Sequence, residues 1–143
     1  MADKSPTQVF PRRDAQGRVA EFRQLLVATL GGTVLGWVLL AAVDGILALL
    51  GIGSFGSASG WLAAILPALL LFDDFRAWRE YPVRYLVGLV GLVVALGLGL
   101  LAAGLVHGWP AIASGAAGAL VAAAVYTLSW YFGIRWLGSN QFS

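Results

Sequence analysis

The feature that most constrains this chain is a run of fifty residues, Tyr85 to Ile134, that contains no Asp, Glu, Lys or Arg. A second run, from Gln24 to Phe72, contains a single charged residue, Asp44. Water-soluble domains carry charges at much closer intervals. With 59% hydrophobic residues and a mean hydropathy of +0.83, the whole chain lies outside the range of soluble proteins. The sequence therefore predicts an integral membrane protein.

Crossing about 30 Å of hydrocarbon takes about 20 helical residues. Because lipid offers the backbone no hydrogen-bond partners, we expect each span to be a helix. Four segments qualify: 24–50, 58–76, 85–106 and 111–135. The predicted fold is thus all-α, a four-helix transmembrane bundle over residues 24–137. Its second segment is apolar only from Trp61 to Phe72, and Pro67 is predicted to kink it.

The residues before the first span are predicted to form two parts. Residues 1–14 contain two prolines and scattered charge without an apolar period, which predicts a disordered tail. Over residues 15–23 the spacing of Val19, Phe22 and Leu26 predicts a short amphipathic helix on the membrane surface. A signal peptide is not expected, because the first 23 residues are polar.

The basic residues predict the orientation of the bundle. All nine lie within the first 23 residues, in the 73–84 loop or at Arg135, and none lies in the other two loops. By the positive-inside rule both termini, including residues 138–143, are expected in the cytoplasm. The Arg-to-Lys ratio of eight to one is typical of bacterial genomes rich in G and C, which favours a bacterial plasma membrane.

An internal match leaves two interpretations open. Residues 23–42 and 84–103, offset by 61, share eight identities in twenty positions. In the first interpretation the match is accidental, because helices rich in Leu, Ala and Gly often share residues by chance. A true duplication would instead give two helical hairpins in the same orientation, related by an axis along the membrane normal.

Small residues are the richest signal for helix packing. Gly32 and Gly36 form a GxxxG pattern, and Ser114 and Gly118 form a similar pair. In lipid, such residues let helices approach closely, either inside the bundle or against a partner protein. The indole N–H of Trp37 needs a hydrogen-bond partner that another helix can supply. We therefore expect the first helix to present Gly32, Gly36 and Trp37 to a partner, with internal packing as the alternative.

Two further residues raise alternatives of a different class. Asp44 is the one carboxylate within a span, where acidic residues often couple transport to protons or cations. Counting from Gln24 places it about 30 Å along the helix, which equally fits a structural residue at the outer interface. His107, the only histidine, could supply one ligand to a haem or pigment, or lie in the turn before Trp109 and Pro110.

The charged loop carries the arginines that a transporter or flippase would use to gather an anionic headgroup. These are Arg76, Arg79 and Arg84, with Arg135 at the last helix end. Four spans, the internal match of residues 23–42 with 84–103, and the ends "FRAW" (75–78) and "GIRW" (133–136) resemble the plan of the GtrA-like family of lipid-linked-sugar flippase candidates. The asparagine which that family places near the ends of its even-numbered helices is missing here, so no site residue is carried over.

An enzyme is not expected. Asp73, Asp74 and Glu80 are of the residue types that bind Mg²⁺. They all lie on one loop, however, whereas a metal-dependent membrane enzyme needs carboxylates from several helices. No catalytic, nucleotide or metal motif lies in the spans, and the chain has no cysteine. No cofactor, metal or nucleic acid is expected. The leading prediction is a non-enzymatic accessory or assembly subunit that binds the bilayer and a larger membrane protein, or a second copy of itself.

The predicted topology can be tested directly because the chain has no natural cysteine. In Ser54→Cys, an impermeant thiol reagent added outside cells should label the protein, whereas Ser139→Cys should react only after the membrane is opened. Labelling of the two variants from the reversed sides would contradict the prediction.

Overall fold

The computed structural model describes residues 10–140, and four α-helices make up most of that range. They are α1 (Phe22–Leu49), α2 (Ile65–Ala77), α3 (Arg84–Leu105) and α4 (Ala111–Asn140), with a 3₁₀ turn at Gly60–Ala64 before α2. No β-strand forms among these residues. By length and composition α1, α3 and α4 can each cross a membrane. The prediction of an all-α protein with several membrane-spanning helices is confirmed at this level.

Contacts between distant segments define two ends of the bundle. At the arginine-rich end, formed by residues 10–21, 73–84 and 131–140, Asp74 of α2 accepts a hydrogen bond from Val19. At the opposite end, formed by residues 50–59 and 106–110, the N–H of Ile112 donates to the Gly56 carbonyl at 3.1 Å. Both termini of the described range therefore lie at the arginine-rich end.

Helices α3 and α4 pack through small residues. The buried positions of α3 recur every fourth residue, at Val87, Gly91, Ala95 and Gly99. This spacing is that of the i±4 ridge of a helix, which packs into the groove of its neighbour. A Cβ added at Gly99 would lie 2.8 Å from the carbonyl oxygen of Gly118, so the two backbones meet where neither residue has a side chain.

The 3₁₀ turn also packs backbone to backbone, in this case against the start of α4. A Cβ on Gly115 would lie 2.7 Å from the Gly60 nitrogen, and one on Gly60 would overlap the Ile112 carbonyl oxygen. The Trp61 ring then fills the space beside Gly99 and Gly118. Glycine at these positions brings three segments together at the opposite end of the bundle.

The second predicted span, 58–76, is not one continuous α-helix. Residues 58 and 59 are not helical, the 3₁₀ turn follows, and Pro67 lies in the first turn of α2 instead of kinking a longer helix. Proline is tolerated there because the first N–H groups of a helix have no intrahelical acceptor. The other spans start within two residues of their predicted positions, and α4 extends five residues beyond 135.

The prediction of an amphipathic helix over residues 15–23 is wrong for most of that segment, since α1 begins at Phe22. Residues 12–20 instead form a compact hook, closed by a bridge between Arg13 and Val19, with Gly17 at a φ of +82°. Residues 12–14 belong to this hook and not to a disordered tail. Residues 1–9 and 141–143 of the predicted termini lie outside the described range.

Candidate functional site at the arginine-rich end

The carboxylate of Asp74 is the centre of the arginine-rich end. The side chain is completely buried. Its Oδ1 accepts the backbone N–H of Val19 at 2.8 Å, and its Oδ2 accepts the indole Nε1–H of Trp130 at 2.7 Å. A buried carboxylate is tolerated when both oxygens are hydrogen-bonded. Asp74 thereby joins the hook, α2 and α4.

The hook has its own internal framework around Asp14. This carboxylate accepts the backbone N–H groups of Gln16 and Arg18 at 3.0 and 2.9 Å and the Nε–H of Arg18 at 2.8 Å. Partial burial acts to raise the pKa of Asp14, but the hydrogen bonds from Arg18 outweigh it and leave the pKa below its ordinary value. The carboxylate form therefore holds the turn that carries Val19 to Asp74.

Trp78 contacts two guanidinium groups. The Cζ atoms of Arg18 and Arg135 are 4.8 and 5.2 Å from its ring centroid, a cation–π geometry. Arg135 also donates to the Val19 carbonyl, so both backbone groups of Val19 are bonded to other segments. Arg135 is thus bonded within the fold, unlike the exposed Arg76 and Arg79 with which it was grouped by sequence.

A second cluster of arginine and aromatic side chains lies where α2 and α3 diverge. The guanidinium of Arg84 is 4.7 Å from the ring centroid of Phe75 and 4.8 Å from that of Tyr85. It donates to the Phe75 carbonyl at 3.3 Å and to the Tyr85 hydroxyl at 2.9 Å, while its Nε is buried without an acceptor. Arg76, which is exposed, lies 6.0 Å from the ring of Phe72. Guanidinium groups held in this way can bind an anion.

The same aromatic residues line a cavity of about 490 Å³ between α2, α3 and α4. We call this cavity the α2–α3 groove. The walls are apolar and include Leu71, Phe72, Phe75, Leu89, Leu92 and Leu96. Ala122, Ala123 and Tyr126 of α4 also line it. The sequence did not predict this groove.

The face of α1 that was expected to meet a partner is covered within the chain. A Cβ on Gly36 would lie 2.7 Å from the Ala63 carbonyl oxygen, and one on Gly32 would lie 3.6 Å from the Pro67 nitrogen. The indole N–H of Trp37 donates to the Ile112 carbonyl at 3.0 Å, although the side chain is 36% exposed. These contacts are those that the internal-packing alternative expects, while Trp37 keeps part of its ring exposed.

The remaining predicted residues take structural positions. Gly118 meets the Trp61 ring, and Ser114 is half-buried near the start of α4. Asp44 is 8% exposed and accepts the Gly56 N–H at 2.6 Å, which ties α1 to the loop of residues 50–59. This contact lies at the opposite end of the bundle from the arginine-rich end.

The other polar candidates are dispersed. His107 is exposed, and its Nδ1 lies 3.0 Å from the Gly104 carbonyl oxygen at the end of α3. Asp73, Glu80 and Arg79 are exposed at the arginine-rich end. Among residues 10–140, no group of three His, Cys, Asp or Glu side chains is arranged to hold a metal ion.

Sequence reasoning missed Asp74, although the helix period contains the signal. Asp74 is three residues after Leu71 and four before Trp78, both of which are buried. This spacing puts Asp74 on the same face of the helix, whereas Asp73 points away from it. Val19 and Trp130 could not be paired with Asp74 from sequence, because 55 and 56 residues separate them from it.

Comparison with known proteins adds no relative: no family model, curated protein or solved structure matches this chain.

The role of Asp74 can be tested with Asp74→Asn, using Asp73→Asn as the matched control. The amide keeps the size of the side chain but turns one acceptor into a donor that faces an N–H of Val19 or Trp130. Losing a hydrogen bond to a charged group costs about 1.5–3 kcal/mol, so local opening of the hook should increase at least about tenfold. Trypsin should then cleave after Arg18 correspondingly faster in detergent solution.

In Asp73→Asn, whose substituted side chain is exposed, cleavage should proceed at the wild-type rate. Equal cleavage rates in the two variants would show that Asp74 does not hold the hook in place.

Proposed function

We propose that this chain is a non-enzymatic accessory or assembly subunit of a larger membrane protein complex, which it contacts through the outer face of α3. The observation that carries the proposal is that two glycines of α3 face away from the bundle. At Gly97 and Gly104 an added Cβ would meet nothing within 4 Å, in contrast to Gly99 on the packed side of the same helix. The two residues are seven apart, which is two helical turns, and therefore share one face.

Helix association in lipid depends on close approach, because lipid chains are as apolar as leucine. A glycine that packs within its own bundle needs no further explanation, whereas one facing outward leaves a shallow notch for another helix. Exposed leucines, Leu100 and Leu101, lie between Gly97 and Gly104 and supply apolar contact beside the notch. This surface therefore has the small-residue character that the sequence analysis assigned to α1.

The use of the buried polar side chains also supports a subunit rather than a carrier. The Thr29 and Thr127 hydroxyl oxygens lie 3.0 Å apart, and Thr33 and Thr127 donate to backbone carbonyls one turn earlier at 2.8 and 2.7 Å. Asp44 and Asp74 accept the N–H groups described above. Each buried Thr and Asp in residues 10–140 thus has a partner inside the chain. Polar groups arranged this way stabilise a bundle.

The proposal includes four membrane crossings with the arginine-rich end in the cytoplasm of a bacterial cell. Five 3₁₀ residues rise about 10 Å and the 13 residues of α2 about 20 Å, so Gly60–Ala77 reaches about the 30 Å of hydrocarbon. The arginines gathered at one end favour the cytoplasmic side for it.

Co-purification tests the proposal. The affinity-tagged wild-type chain, extracted from its native membrane in mild detergent, should retain a second membrane protein. Gly97→Leu combined with Gly104→Leu should release that protein, because the leucines fill the notch, while the fold persists, because neither Cβ meets a neighbour. Val93→Leu, which enlarges another exposed residue of α3, is the control and should keep the partner.

Helical content and thermal stability of the double variant establish that it is folded. A folded double variant that retains every co-purifying protein, or a wild-type chain that retains none even after cross-linking in the membrane, would contradict the proposal.

A further inference from the structure

The α2–α3 groove has the dimensions of a site for a flexible chain. A single turn of helix, about 10 Å across and 5.4 Å high, already occupies roughly 400 Å³. The groove holds about 490 Å³, little more than the volume of one helical turn. The groove is deep between the larger side chains of α2 and α3, because small residues line it there: Gly88, Ala95, Ala122 and Ala123.

The aromatic residues along the groove connect it to positive charge. Phe72, Phe75 and Tyr85 all line the cavity, and their rings lie against the guanidinium groups of Arg76 and Arg84. Both arginines belong to the arginine-rich end of the bundle. The groove is therefore apolar along its length, and the guanidinium groups beside these aromatic rings make one end of it cationic.

We propose that the α2–α3 groove binds one acyl chain of an anionic phospholipid and that Arg84 and Arg76 bind the phosphate of the same molecule. A hydrocarbon chain joined to a phosphate complements the apolar walls and the cationic end at once. Guanidinium groups bind phosphate oxygens through charge-assisted hydrogen bonds, and basic pockets between membrane helices are known sites for anionic lipids.

The physical chemistry of the bilayer determines which part of the lipid gives specificity. Moving an acyl chain from surrounding lipid into the groove gains no hydrophobic free energy, because the two environments are equally apolar. The groove fixes the position of the molecule, and the arginines select its headgroup. Phosphatidylglycerol, with a net negative headgroup, should therefore bind in preference to phosphatidylcholine, whose headgroup is neutral overall.

Native mass spectrometry of the purified chain, titrated with each lipid in detergent, tests this site. We expect one phosphatidylglycerol per chain and at least about tenfold weaker binding of phosphatidylcholine, the loss of roughly one charge-assisted interaction. Ala68→Trp places a bulky ring in the groove and should abolish the bound lipid. Ala42→Trp makes the same change on the exposed face of α1 and should leave binding intact.

A second pair of variants separates the position of the arginine from its charge. Arg84→Gln should weaken phosphatidylglycerol binding about tenfold, whereas Arg79→Gln removes the same charge from the same end and should not. Circular dichroism confirms that each variant is helical. Arg84 also donates to the Phe75 carbonyl, so Arg84→Gln can fail to fold. In that case the Ala68→Trp and Ala42→Trp variants and the preference for phosphatidylglycerol test the proposal.

Equal binding of the two lipids, or phosphatidylglycerol binding that survives Ala68→Trp, would overturn the proposal. Release of a bound protein chain instead of a lipid by Ala68→Trp would also overturn it, since the groove would then be a protein contact. The titration uses the isolated chain, so its failure leaves the proposed contact through the outer face of α3 to its own test.

Discussion

The buried carboxylate of Asp74 is the interaction on which the arginine-rich end depends. An unpaired charge in this position would cost several kcal/mol, and the two N–H donors from Val19 and Trp130 offset that cost. The donors come from opposite ends of the chain. One short side chain therefore imposes a long-range constraint, because the hook, α2 and α4 must come together for Asp74 to be satisfied.

The constraint at Asp74 has a counterpart at the opposite end, where Gly60 and Gly115 bring the 3₁₀ turn against α4. Between these two points α2 is held to α4, while α3 packs on another side of α4 through Gly91, Ala95 and Gly99. Helices α2 and α3 thus share a neighbour without filling the space between them. The α2–α3 groove is the result, and its cationic end follows from the arginines that flank the connection between the two helices.

The sequence was sufficient for the features that depend on hydrophobicity alone. The long runs with almost no charged residues predicted all three long helices. It was not sufficient where the outcome depends on contacts between distant residues. Asp73 and Asp74 are chemically identical neighbours, and only the helix period, with Trp130 and Val19 in place, distinguishes the buried one.

Glycines show the same limit. Gly36 and Gly97 look equivalent in sequence, since each interrupts an apolar helix, but the first meets the Ala63 backbone and the second meets nothing. Which glycine faces inward depends on how each helix is rotated within the bundle. The hook was also hidden, because the spacing of Val19, Phe22 and Leu26 fits a helix while Asp14 supplies hydrogen bonds that favour a turn.

The most direct test of this account is a double-mutant cycle on the Asp74–Trp130 pair, measured as free energies of unfolding in detergent. Asp74→Ala removes the acceptor and Trp130→Phe removes the donor of the 2.7 Å hydrogen bond. If Asp74 organises this end of the bundle, the two changes should couple by about 1–3 kcal/mol. Additivity within about 0.5 kcal/mol would contradict the account, because it would mean that the carboxylate and the indole stabilise the fold independently.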